Sequence, residues 1–113
     1  MKEWMQQNCG TAHHALYFYC FDDDNDGDKK LTTRMFCIEN NLLEEDAATG
    51  SASTCLQAYL LKYSSAEIEL INHQGEFINR PSQIYFKGTL SDGHFDIKIG
   101  GKTQFIAKGE WEV

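Results

Sequence analysis

Between Phe21 and Lys29 the chain reads Asp22-Asp23-Asp24-Asn25-Asp26-Gly27-Asp28, with Asp22, Asp24, Asp26 and Asp28 at every second position and Gly27 between the last two. Carboxylates so spaced offer several hard oxygens to one cation, and the glycine lets the chain turn sharply around it. These four aspartates are therefore candidate ligands for a weakly held Ca²⁺, and no other cofactor is implied. The remaining groups capable of chemistry are four cysteines (Cys9, Cys20, Cys37 and Cys55) and four histidines. His13 and His14 are adjacent, so on a strand they point to opposite faces and cannot share a metal from there. No strand-to-helix nucleophile turn of the GxSxG type and no glycine-rich phosphate loop is present. Outside the acidic run, carboxylates crowd only at Glu44-Glu45-Asp46, where exposure is expected to leave them ionised and ordinary. The pattern predicts no catalytic residue and no enzyme.

Over seven residues the acidic run resembles the first half of an EF-hand-like calcium loop. Lys29 stands where an apolar residue would lock such a loop, and Thr33 stands where the bidentate acid would sit. The flanks read as strands rather than helices. The resemblance thus implies Ca²⁺ affinity at the weak end of the range.

An even number of cysteines in 113 residues fits two disulfides and an oxidising compartment, and the absence of CxxC removes zinc-ribbon and thioredoxin-like readings. If the acidic run is a short hairpin loop, Cys20 faces Thr32 and Cys37 faces Ala15, roughly 16 Å apart along the strands. A disulfide cannot span that distance. The expected pairs are Cys9 with Cys20 and Cys37 with Cys55, making residues 1–113 one disulfide-stapled domain. The alternative is four buried thiols in a cytosolic protein. No apolar leader segment or membrane span is present, so the expected location is periplasmic or secreted, the chain being a mature segment.

Net charge is −7, and residues 1–65 carry ten acids against five bases, while residues 66–113 carry seven against five. Such a balance opposes binding to nucleic acid or insertion in a membrane and favours a basic partner.

The elements that must position these groups are mainly strands. Apolar residues alternate with polar ones over Ile84, Phe86, Gly88, Leu90, then Phe95, Ile97, Ile99, then Phe105, Ala107, Gly109, Trp111 and Val113. A two-residue Asp92-Gly93 turn pairs Leu90 with Phe95, Phe86 with Ile99 and Lys87 with Lys98. Residues 66–73 and 76–80 suggest a further hairpin around Gln74-Gly75. Upstream, residues 15–21 and 31–38 read as a hairpin joined by the acidic run. A short helix around Trp4, another over 42–48 started by Asn41 with Glu44 three positions on and stopped by Gly50, and one within 54–63 complete the pattern. The expected fold is α+β and mainly antiparallel: a small curved sheet or partly open barrel, with a C-terminal meander over 82–113 and an N-terminal hairpin over 15–38.

Tyr17, Tyr19 and Phe21 share one face of their strand beside the acidic loop, a composition suited to protein contact. Together with Asp22, Asp23, Asp24, Asp26 and Asp28 they form the expected surface for a basic enzyme or toxin. The functional expectation is a non-enzymatic inhibitor or immunity protein. A Ca²⁺- or small-ligand-binding β module is the alternative, and the oligomeric state is open.

Overall fold

The computed structural model describes residues 1–9, 15–23 and 29–112. The order is α1 (Lys2–Asn8), β1 (Ala15–Asp23), β2 (Lys29–Glu39), β3 (Leu42–Asp46), α2 (Gly50–Tyr63), β4 (Glu67–Gln74), a 3₁₀ turn (Glu76–Ile78), β5 (Ser82–Ser91) and β6 (His94–Gly101). The chain is α+β, with two helices and a mixed, mostly antiparallel six-stranded sheet among the described residues, ordered β1-β2-β4-β5-β6. β3 pairs with β2 off that path, and the sheet is not closed into a barrel.

The β1–β2 register is the expected one, Cys20 opposite Thr32 and Cys37 opposite Ala15. The β5–β6 register also matches: Leu90 faces Phe95, Phe86 faces Ile99 and Lys87 faces Lys98. The two-residue turn places Asp92 at φ 48° and Gly93 at φ 76°, the doubly positive geometry that suits the strand twist.

Three elements differ from expectation. Residues 42–46 form a strand, because Asn40 (φ 48°) and Asn41 (φ 63°) make a second left-handed two-residue turn that folds Leu42 back onto Glu39. Asparagine tolerates that backbone, so Asn41 starts a hairpin and not a helix. Gly50 then opens α2 instead of ending a helix. The partner of β4 is β5, with Gln74 opposite Ser82, and residues 76–78 lie in the connection. Residues 102–112 pair with no strand among the described residues, so the meander stops at β6. β2 and β4 run parallel over Leu31–Thr33 and Asn72–Gln74, a pairing made possible by the crossover through β3 and α2.

α2 buries Ser53, Leu56, Gln57, Leu60 and Leu61, the spacing of one helical face. That face lies over β4, β5 and β6. Its C-terminal part joins Leu31, Ile68, Ile84 and Phe86 in the apolar core. Gly88 is required beneath the helix: a Cβ there would come 2.6 Å from both Asp96 O and Gln57 Nε2.

Candidate functional site

The N-terminal half of the same helix meets a different environment. Thr33, Thr49, Ser53, Asn72 and Gln74 are all buried, and each is a polar residue. Uncompensated, such burial is costly, so the groups must satisfy one another. The Tyr17 hydroxyl lies 3.1 Å from Thr33 Oγ1, 2.9 Å from Ser53 Oγ and 3.2 Å from Gln74 Oε1, and it accepts from Asn72 Nδ2 at 3.0 Å. Thr33 Oγ1 donates to Asn72 Oδ1 at 2.9 Å.

Gln74 carries this network to the loop that enters α2. Its Nε2 donates to Asp46 O and to Thr49 Oγ1, both at 2.9 Å, and its Oε1 accepts from Thr49 N at 3.3 Å. Thr49 Oγ1 in turn donates to Asp46 Oδ2 at 2.6 Å, and Ala48 N reaches Asp46 Oδ1 at 3.5 Å. Thr49 is the extended N-cap residue, yet its side chain is committed to Asp46 and not to the helix. Ser53 N makes the first intrahelical bond, to Thr49 O. The amides of Gly50, Ser51 and Ala52 therefore have no acceptor within the helix. A Cβ built on Gly50 meets nothing within 4 Å, so the space beside this residue is open.

The far wall is the end of β4. Gly75 has φ 78°, and a Cβ there would stand 2.2 Å from Arg80 O and 2.8 Å from Ala47 O, so only glycine lets these backbones close on one another. Ser82 Oγ lies 2.7 Å from Ala47 O and 3.1 Å from Gln74 O, close enough to donate to either. A cleft of about 680 Å³ opens beside Ala48, with His73, Glu76, Ser82 and Lys102 in its walls. Burial, reinforced by Lys30 and opposed by Glu76, holds His73 below the ordinary imidazole range. Glu76 pairs with Lys30 at 3.0 Å. A larger cleft of about 830 Å³, bordered by Phe21, Leu60, Ile68 and Ile71, lies at the other end of α2. There the helix presents carbonyls, so the cleft lacks the open amides found beside Asp46.

The residues singled out in the sequence are placed as follows. Tyr17 is half-buried and its hydroxyl belongs to the network, whereas Tyr19 and Phe21 on the same face remain exposed. Asp22 is exposed and accepts from the Cys20 thiol at 3.7 Å. Asp24, Asp26 and Asp28, and with them the expected Ca²⁺ loop, lie outside the described residues, as does the side chain of Asp23. Among the described residues no cluster of three potential metal ligands occurs.

Neither expected disulfide is present, because all four cysteines are free thiols. α1 is tied by Gln6 to Asn41 at the β2–β3 turn, whereas Cys20 lies towards the opposite end of the β1–β2 hairpin. Cys55, exposed on α2, lines a groove beside Met35, two residues before Cys37 on the same face of β2, yet the two thiols are not bonded. Burial and neighbouring carboxylates push the thiols of Cys20 and Cys37 up. The argument from paired sulfurs to an oxidising compartment loses its basis.

Sequence reasoning missed Asp46, Thr49, Gly50, Ser51 and Gln74. The available signal was Thr49-Gly50-Ser51 entering an alanine- and leucine-rich helical stretch, three residues after the carboxylate of Asp46.

This α+β domain thus seats a carboxylate beside an open helix N-terminus, over a polar core. The chain belongs to the PhzC-PhzF family of phenazine biosynthesis-like proteins, whose family model matches residues 6–109. No curated protein and no solved structure matches the chain. Membership of this enzymatic family overturns the expectation of a non-enzymatic inhibitor or immunity protein, which rested on acidity and on the cysteine count.

Proposed function

We propose that this chain carries an acid–base site of the isomerase type, acting on a small substrate that bears a carboxylate. The observation that supports it is Asp46 bonded to the Thr49 cap of a helix whose first amides, those of Gly50, Ser51 and Ala52, have no acceptor within the helix, in a chain of the PhzC-PhzF family. Unsatisfied N–H groups and the positive end of the helix dipole favour an anion at this position. With the substrate carboxylate held there, Asp46 is the adjoining proton carrier. It accepts a proton as one C–H bond breaks and returns it as another forms, so no net proton or electron is consumed. Thr49 and Gln74 hold the aspartate in place without taking part in the transfer.

The experiment is deuterium wash-in. The protein is incubated in D₂O with a panel of small carboxylic acids having activated C–H bonds, and exchange is followed by NMR. Exchange that falls at least tenfold in Asp46→Asn, with an unchanged melting temperature, is the expected result. Equal exchange by wild type and Asp46→Asn rules out the role given to this carboxylate.

A further inference from the structure

Residues 102–112 leave the sheet after β6 with Phe105, Ile106 and Trp111 each more than 80% exposed. Three large apolar side chains on one unpaired segment are a liability unless something covers them. Phe105, Ala107, Gly109 and Trp111 also alternate with mostly polar residues, the pattern of a strand with one apolar face. Elsewhere on the molecule, β1 is the first strand of the sheet and has a neighbour on one side only among the described residues. Beside it runs an apolar groove of about 400 Å³ between β1 and α2, lined by Ala15, Tyr19, Met35, Ala52, Leu56 and Tyr59. Its rim continues as a chain of rings, with centroids 6.2 Å apart for Tyr19 and Phe21, 6.3 Å for Tyr19 and Tyr59, and 4.9 Å for Tyr59 and Tyr63.

We infer that residues 102–112 add as a strand to the outer edge of β1 in a second copy of this chain. The lengths agree, since β1 spans nine residues and the segment after Gly101 can match them. Antiparallel addition with Phe105 opposite Phe21 puts Ala107 against Tyr19, Gly109 against Tyr17 and Trp111 beside Ala15. Small residues then meet rings, and the indole enters the groove. The same direction brings Lys102 to the acidic end of β1 and keeps Glu110 and Glu112 at the Ala15 end. A parallel arrangement would set those glutamates against Asp22.

Geometry favours a second copy over the chain's own β1. β1 and β6 lie four strand spacings apart in the sheet order, about 19 Å, which takes roughly six extended residues to cross. Too few would remain to pair along β1. Addition to the chain's own β6 is less favoured for a different reason. α2 rests chiefly on β5 and β6, so a strand beyond β6 overhangs the helix, whereas the β1 side offers the uncovered flank of α2 as a wall. Main-chain bonds would supply the affinity and the groove the specificity.

The test is sedimentation of the full chain and two variants. Phe105→Gln with Trp111→Gln disables the strand and leaves the edge intact; Tyr19→Lys disables the groove and leaves the strand intact. All three positions are exposed, so the fold should survive, as circular dichroism verifies; Ala15→Glu is a second groove variant should Tyr19→Lys prove unstable. The expected result is a wild type that self-associates, two variants that sediment as single chains, and an equimolar mixture of the two that forms a 1:1 complex. A single-chain wild type at the highest soluble concentration overturns the inference. So does a mixture that stays dissociated, the outcome expected if the segment folds onto its own β6.

Discussion

The two ends of α2 rest on opposite kinds of surface. Towards its C-terminus, Leu60 and Leu61 pack with Leu31, Ile68, Ile84 and Phe86 in a core of apolar side chains. Towards its N-terminus, Ser53 and the Thr49 cap stand over Tyr17, Thr33, Asn72 and Gln74, which are joined by side-chain hydrogen bonds. Apolar burial is non-directional and serves stability. A satisfied polar network constrains angles and serves position. The difference teaches that one end of the helix holds the domain together while the other aims Asp46 and the open amides. Between them sits Gln57, fully buried, whose Nε2 and Oε1 have no partner among the described residues.

The largest effect should come from the apolar end. Phe86→Ala, at a side chain 1% exposed, is expected to cost about 4 kcal/mol in chemical denaturation. Where the protein remains folded, carboxylate binding at the other end should persist. Gln74→Leu should cost less, about 2–3 kcal/mol, through the orphaned Thr49 amide and Asp46 carbonyl. Its signature is different: hydrogen exchange at Ala47–Ser51 should rise selectively, and anion affinity should fall with it. If both variants loosened both ends equally, the division between them would be wrong.

Much of this division was legible in advance, but only on the apolar side. The alternation through Ile84–Leu90 and Phe95–Ile99, together with Asp92-Gly93, determines a register because a one-residue slip would turn the core residues outward. The polar end has no such periodic signal. Tyr17, Thr33, Asn72 and Gln74 come from three strands, and their meeting depends on the parallel β2–β4 contact, which only the tertiary crossover creates. Asn41 was misleading locally, since asparagine serves both helix caps and left-handed turns. Cysteine count misled for a related reason: pairing requires proximity, which number alone does not provide.

A smaller effect of opposite sign is expected at the junction. Gln57→Leu removes two unsatisfied polar atoms from a fully buried site and should raise stability by about 1 kcal/mol. A loss in denaturation midpoint would show that the amide has a partner in solution. The smallest effect is that of pH. His73 is held below its ordinary value of 6.5, first by burial, so the unfolded chain takes up that proton more readily. Its contribution to stability is whole above that pH and drains away as pH falls towards the folded value. His73→Gln should flatten that part of the melting-temperature profile, and an unchanged profile would remove His73 as its cause.

The central claim is that chemistry belongs to the N-terminal end of α2, and amide NMR during titration with a small carboxylate tests it most directly. Expected are saturable shifts at Gly50, Ser51 and Ala52, with Leu60–Tyr63 unmoved. Shifts confined to the cleft bordered by Phe21 and Ile68, or no saturable shift at Gly50–Ala52, would contradict it.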